Sequence, residues 1–443
     1  MSSKTTSGSR IRPRIIIHGG AGNITRTNLP QDSYNAYRSA LLEILQASQA
    51  LLGRPNARAL DVAVHAVSML EDNPLFNSGK GAVFTRAGTV ELEASVMVSN
   101  GYKKRGVGCM LIKHVRNPIK LAREMLVRGE DSKGGGAQGH CQLSGEQLEL
   151  LARDWGLEMC EPEYYFTKRR WDEHKKGLER EKQVSIQQHM DIGVDLLGKI
   201  EPEWASDDPS WDGHEYLPQG TVGAVVLDSF GTVCVATSTG GLTNKLPGRI
   251  GDTPTIGAGF WAEEWFEELL NQQESMFYRT QARDDPTTSE SLTHPLQQLI
   301  STCLPSISSY RPIGQHIPNE NEMKSHKAHS KRFVRHAVAM SGTGNGDSFL
   351  RTSAARTTAA ISRFSLPNLP LAACVTQVAG QGGELQRSAG DRWGVTGEGE
   401  GGIIGIELIG EEGKVVWDLN CGGMFRTWVD DDGKEQVRVF REE

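Results

Sequence analysis

Apolar positions along this chain follow two rhythms, and the alternation predicts its elements. Residues 14–17, RIII, form a short continuous apolar run read as a buried strand, which ends in His18-Gly19-Gly20-Ala21-Gly22. From 32 to 52, Leu41, Leu42, Ile44, Leu45, Leu51 and Leu52 recur on one helical face, and from 59 to 71 Leu60, Ala63, Val67 and Leu70 do the same. Strands are predicted at 82–85, 89–98 and 106–112. Asn117-Pro118 reads as a helix start, with a cap residue and then proline at the first position. Ser144-Gly145-Glu146-Gln147 reads as a capping box for a further helix that Gly156 can end.

From about 175 to 219 this patterning decays into charged, Asp-, Pro- and Trp-containing sequence, read as a flexible tether. It stops abruptly at Gly220, where two valine- and alanine-rich runs face each other across Asp228-Ser229-Phe230-Gly231 as a β-hairpin whose first strand opens at Thr221. Residues 270–334, with Gln, Ser and Pro, read as an insertion, and histidines 294, 316, 326, 329 and 336 in and beside it lack compact metal-ligand spacing. A strand at 337–340, helices at about 347–363 and 367–378, and the strands GGIIGIEL and KVVWDLN complete the pattern. No repeat of 20–50 residues is visible. Strand runs mixed with paired helices predict an α+β fold in which sheet layers are covered by helical layers.

The charge balance, 48 Lys and Arg against 55 Asp and Glu for a net −7, favours neither a nucleic-acid backbone nor an anionic membrane. No run of eighteen apolar residues occurs, and the basic N-terminal stretch lacks an apolar core. Seven cysteines are scattered singly without a CxxC pair, which argues against a disulfide framework or zinc ribbon and fits a reducing cytosol. The expected partner is a small solute or a protein. The 50 glycines cluster in HGGAG, NSGKG, STGG, SGTGNG and GEGEGG, a distribution of tight turns between packed elements.

A threonine opening a strand is ordinarily just a β-branched strand residue. Cleavage of the Gly220–Thr221 bond would change its chemistry. The threonine hydroxyl would gain a neighbouring α-amine of pKa roughly 7.7–8.0, which can take the hydroxyl proton near neutral pH, so that one residue is both nucleophile and base. The bare Gly220 would let the same hydroxyl reach the preceding carbonyl and cut its own chain through an N-to-O acyl shift.

Thr221 in GTVGAVVLD, STGG at 238–241, GRIGD at 248–252, NPLFNSGKGAVFT at 73–85, HGGAG at 18–22, RNPIKLARE at 116–124 and LNCGGMFR at 419–426 run in collinear order. Together they resemble the plant-type L-asparaginase and isoaspartyl peptidase family of N-terminal-nucleophile hydrolases, over nearly the whole chain apart from the tether and the insertion. The resemblance implies a single domain with a four-layer αββα sandwich. It also implies autocleavage into an α chain of about 1–220 and a β chain of about 221–443, and a dimer of such pairs. The implied activity is hydrolysis of L-asparagine or β-aspartyl dipeptides to L-aspartate through an acyl-enzyme on Thr221.

An aspartyl substrate presents an α-carboxylate and an α-ammonium, for which Arg249 and Asp252 are the matching family positions: a guanidinium grips a carboxylate in bidentate fashion, and a carboxylate accepts from an ammonium. Without the resemblance the two would read as a surface ion pair. Ser341 and Gly342 match the positions of an oxyanion-stabilising hydroxyl and backbone N–H, although the family's hydroxyl is more often threonine and GTGNGD is one residue longer here. Thr239 would orient the nucleophile, and Asn77 would bond near it unless it simply makes a turn. The loop containing Leu70, Glu71 and Phe76 resembles the family's main-chain sodium loop; no other cofactor is expected. His18 is expected to be structural.

HGGAG after a strand also resembles an esterase oxyanion loop, but no Gly-x-Ser-x-Gly elbow is present, and neither GxGxxG after a strand nor a Walker loop occurs. Two alternatives stay open: a taspase-like endopeptidase cutting proteins after aspartate, against which Asp252 argues, and a catalytically idle scaffold.

Overall fold

The computed structural model describes residues 11–194, 220–269 and 332–443. Met1–Trp265 and Arg335–Glu443 belong to one unit, in which the described core lies; of the second unit, 266–334, only the adjoining ends of two strands are described. The first unit begins with β1 (Arg14–Gly22), α1 (Gln31–Leu52), α2 (Ala59–Asp72), β2 (Leu92–Asn100), β3 (Lys103–Ile112), α3 (Pro118–Arg128), β4 (Gln142–Ser144), α4 (Glu146–Asp154) and α5 (Lys168–Val194). It continues with β5 (Val222–Leu227), β6 (Val233–Thr239), β7 (Phe260–Leu269), β8 (Arg332–Gly344), α6 (Gly346–Thr352), α7 (Ala354–Phe364), α8 (Leu371–Ala379) and α9 (Glu384–Ser388). Four strands close it: β9 (Gly401–Ile409), β10 (Glu412–Leu419), β11 (Gly423–Val429) and β12 (Glu435–Phe440). The fold is α+β.

Eight strands form one sheet in the order β12-β11-β1-β5-β6-β2-β3-β4, and four form a second, β10-β9-β8-β7. Period-two alternation assigns the faces. Ile15 and Ile17 of β1 with Ala224 and Val226 of β5 pack against Leu41, Ile44 and Leu45 of α1, Val62, Ala63 and Val67 of α2, and Met125 of α3. The opposite residues, Ile16, Val225 and Leu227, join Ala337 and Ala339 of β8, Ile404 and Ile406 of β9, and Leu371, Val375 and Val378 of α8. Because both faces are covered, β5 and β6 are buried at every position, which is why they read as near-continuous apolar runs. Each such large side chain contributes about 1.5–3 kcal/mol on burial.

The β5–β6 turn is held by Asp228, whose carboxylate accepts the N–H groups of Phe230 (2.9 Å) and Thr232 (3.0 Å) and also that of Ala59 (3.0 Å) at the start of α2. One acid thereby closes the hairpin and complements a helix N-terminus.

Several expectations are corrected. Residues 82–85 are buried but irregular, because Val83 N–H donates to the Asn77 side chain and the Phe84 carbonyl accepts from Asn244 N–H rather than from a ladder. Ser144 makes no capping box: Gly145, at φ 67°, is the cap of α4 and no side chain bonds there. Asn117 precedes α3 as expected, but its amide donates to Asp72 (3.1 Å) instead of capping. The helix expected at 347–363 is broken at Ser353, φ 47°, into α6 and α7. The first part of the supposed tether, 175–194, is helical in α5, whose start is anchored by buried Arg170, Glu173 and His174 and by Trp171 edge-on to Phe84. The rest of the tether and residues 270–331 of the insertion, with four of its five histidines, lie outside the described residues.

Candidate active site

Thr221 is the residue before β5, and the hairpin register sets its surroundings. Val222 pairs with Ser238, so the next step places Thr221 opposite Thr239 at the end of β6, while His18 of β1 lies across from Gly223 on the other side. The Thr221 side chain is buried, and its hydroxyl lies 2.8 Å from that of Thr253. Thr253 is itself fixed, since its carbonyl accepts from Ser95 (2.7 Å) and Thr237 (3.4 Å), and those two hydroxyls bond each other. Thr253 was missed in the sequence, although it directly follows Asp252 in GRIGDT.

Gly220 has no room for a side chain. A Cβ there would stand 2.4 Å from Ala21 N, 2.6 Å from the Gly20 Cα and 2.6 Å from the Thr343 hydroxyl. Gly20 can take this position because its φ of 119° suits glycine. Thr343, whose hydroxyl accepts the Ala21 N–H at 3.2 Å, is a second residue the sequence reading missed. It lies two positions beyond Ser341 on the same face of β8.

Ser341 and Gly342 both have hydrogen-bond partners within the fold. The Ser341 hydroxyl is buried against the His18 Nε2 at 2.7 Å. The Gly342 N–H donates to the Gly259 carbonyl at 2.7 Å, so the backbone donor expected there is already engaged. Burial holds the His18 pKa down to about 3, and its neutral ring sits against Ser341 beside a glycine, Gly223, whose Cβ would meet both groups. The Thr239 hydroxyl accepts from Gly241 N–H at 3.0 Å and shapes the STGG turn. Asn77 ties the 73–85 loop to the same turn, donating to the Gly241 carbonyl (2.8 Å) and accepting from Val83 N–H (3.1 Å).

The GRIGD segment is held from below by two acids entering β2. Glu91 accepts from Gly248 N–H (2.8 Å) and Glu93 from Gly251 N–H (2.9 Å), while buried Lys245 donates to the Glu91 carbonyl (2.7 Å). Asp252 is buried, and its Oδ2 has no hydrogen-bond partner among the described residues. Burial pushes its pKa up to about 7; Arg249 opposes the rise, and Glu93 and Asp347 add to it. A buried acceptor lacking a partner beside a guanidinium is an arrangement that a zwitterionic ligand would complete.

The oxygens of the loop around Leu70, Glu71 and Phe76 crowd two glycines, since a Cβ on Gly79 would lie 2.3 Å from the Glu71 carbonyl and one on Gly81 2.1 Å from that of Phe76. Neutral carbonyl donors suit a hard monovalent cation. The Glu71 carboxyl is a separate group: it accepts from Ile119 N–H and Ser238 O–H, and burial pushes its pKa up to about 8. No cluster of three or more His, Cys, Asp or Glu among the described residues could hold a metal, and no helix among them is long and apolar enough to cross a membrane. A surface cavity of about 730 Å³ lined by Arg351, Gln377 and Arg387 contains none of the candidate site residues.

Residues 11–266 match the family described as asparaginase. The chain is 38% identical over 248 residues to the isoaspartyl peptidase of Salmonella typhimurium, covering 56% of this chain and 69% of that protein. It is 38% identical over the same length to the isoaspartyl peptidase of Escherichia coli, at 56% and 67% coverage. It is 31% identical over 253 residues to the isoaspartyl peptidase/L-asparaginase of Bos taurus, at 57% and 68%. With the family match spanning more than half of its length and the Thr221 segment inside it, the chain belongs to the plant-type L-asparaginase and isoaspartyl peptidase family of threonine hydrolases.

Proposed function

We propose that the protein is a self-cleaving threonine amidohydrolase that releases L-aspartate from L-asparagine and from β-aspartyl dipeptides. The observation that carries this reading is Thr221 itself, a buried strand-edge hydroxyl bonded to Thr253, behind a glycine that admits no side chain and near the Arg249–Asp252 pair.

In maturation the Thr221 Oγ attacks the Gly220 carbonyl carbon. The peptide C–N bond breaks as the ester forms, and water hydrolyses the ester to leave a Gly220 carboxylate and a free Thr221 amine. That amine then takes the hydroxyl proton as Oγ attacks the substrate amide; the proton passes to the leaving amine, and a water cleaves the acyl-enzyme to aspartate. Arg249 binds the α-carboxylate and Asp252 the α-ammonium. Ser341, oriented by His18, and Thr343, packed against Gly220, are the hydroxyl donors we assign to the developing oxyanion, in place of the engaged Gly342 N–H. Thr239 and Asn77 shape the turn beside the nucleophile, and the carbonyls of Leu70, Glu71 and Phe76 would hold a sodium ion that stiffens the loop carrying Asn77.

Helices on the outer face of each sheet and an apolar layer between the sheets support the αββα sandwich as the finer fold. The six described cysteines are all unpaired, which supports a reducing cytoplasm, and we adopt a dimer of αβ pairs as the assembly.

The test is a denaturing gel of purified protein with N-terminal sequencing. Two fragments, one beginning Thr-Val-Gly, support the reading, and a persistent full-length band in inactive protein favours the scaffold. Thr221→Ala should abolish cleavage and turnover, whereas Arg249→Ala should still cleave itself but lose small aspartyl substrates. Cutting of proteins after aspartate without action on L-asparagine would point to the endopeptidase.

A further inference from the structure

The guanidinium assigned to the substrate's carboxylate is not waiting empty-handed. Arg249 Nη2 lies 2.9 Å from Asp347 Oδ1, and the two side chains are 18% and 51% exposed. Asp347 comes from the GTGNGD segment that runs out of β8. The backbone there sits directly over the pair, since a Cβ on Gly346 would stand 2.4 Å from Asp252 Oδ1 and 3.1 Å from Arg249 Nη2. The segment is pinned on its N-terminal side. Asn345 N–H donates to the Glu400 carbonyl (2.8 Å), and the Asn345 side chain accepts from Ser348 N–H (3.1 Å) and O–H (2.8 Å). With the backbone pinned and the carboxylate half exposed, a turn of the Asp347 side chain releases Arg249 without moving the loop.

We propose that Asp347 is a specificity-determining residue, a built-in carboxylate that occupies Arg249 until a substrate's α-carboxylate displaces it. This rests on the function proposed above and deepens it. The two carboxylates are chemically alike and compete for one guanidinium fork. Each ligand with a free α-carboxylate therefore binds more weakly than it would to an unoccupied Arg249, while a ligand lacking that group does not need Arg249 and avoids the competition. An exposed ion pair of this kind is weak, so the handicap is a few-fold. Asp347 does not touch the reacting atoms, so its influence falls on binding and not on the chemical step.

The experiment compares mature wild type with Asp347→Asn, Asp347→Ala and Asp347→Glu. It uses steady-state kinetics on L-asparagine and a β-aspartyl dipeptide, and calorimetry with two probes, L-aspartate and β-alanine, which is aspartate without the α-carboxylate. The Asn and Ala variants should lower KM and the L-aspartate Kd about two- to five-fold, equivalent to about 0.4–1 kcal/mol, with kcat within about two-fold and β-alanine binding unchanged. The Glu variant should keep wild-type values. Unchanged or weaker L-aspartate binding in both the Asn and Ala variants overturns the proposal, as does an equal gain for β-alanine, which would mark a general loosening of the loop. Wild-type protein that neither turns over the substrates nor binds L-aspartate would instead overturn the functional reading on which the proposal rests.

Discussion

Replacing Thr253 by valine preserves its branched shape and deletes the hydroxyl that meets Thr221 at 2.8 Å. Thr221 is 6% exposed and Thr253 0%, so bulk water does not substitute for the lost partner. A neutral hydrogen bond contributes about 0.5–1.5 kcal/mol net, but stranding a buried partner costs about 1–3 kcal/mol, and the burial here selects the larger range. The cost grows along the reaction, because the attacking oxygen gathers negative charge and a hydroxyl donor bonds it more strongly than it bonds the ground state. At about 1.4 kcal/mol per decade, self-cleavage and kcat on a β-aspartyl dipeptide should both slow about 5- to 100-fold, with little change in KM. Band intensities of freshly purified precursor over time give the first rate, and initial velocities of the matured fraction give the second. Thr253→Ser should stay within a few-fold of wild type. A valine variant that matures and turns over within about two-fold of wild type would refute the claim that this contact orients the nucleophile.

Gly220→Ala should block maturation, since its Cβ would stand 2.4 Å from Ala21 N, and the gel should show a full-length band. Asp252, pushed up to about 7 by burial, must be ionised to accept an ammonium, so kcat/KM should fall as pH drops below about 7. The Thr221 amine, of pKa roughly 7.7–8.0, must also lose its proton, so the acid limb should approach a slope of two, and of one in Asp252→Asn. By the same shift, the ligand-free fold should lose stability as pH rises from the usual carboxylate range through about 7, because the folded state there holds the extra proton. Thermal melts with and without L-aspartate check this, the ligand restoring stability at the high-pH end. His18→Leu, made in the uncleavable Thr221→Ala background, leaves the buried Ser341 hydroxyl without its ring partner and should cost about 1–3 kcal/mol in denaturant melts.

The buried hairpin and the first two helices were legible because their apolar spacing was strict and tertiary packing agreed with it. Residues 82–85 read as a strand in the sequence, yet their backbone groups are satisfied by a loop and by Asn77. β11 and β12 escaped notice because strand pairing brings together residues far apart in the chain: Ile16 meets Trp428, a pairing no local pattern announces. In the site, Thr221, Arg249 and Asp252 stand out through the family resemblance, since each sits in a motif, GTVGAVVLD or GRIGD, that carries it. Thr253, Thr343, Glu91 and Glu93 do not, because their roles consist only of what they touch. The Gly342 N–H shows the converse, a position whose motif suggests a free donor and whose neighbour Gly259 has claimed it.

The strand order carries a last consequence. β1, from before the cleavage site, lies between β11 and β5 from after it, and β6, again from after it, borders β2. The two pieces are thus interleaved within a single sheet, like fingers of clasped hands. Breaking the bond at residue 220 severs the polymer but not the protein: neither piece can drift away without tearing its neighbours' ladders, and heat should release both in one event.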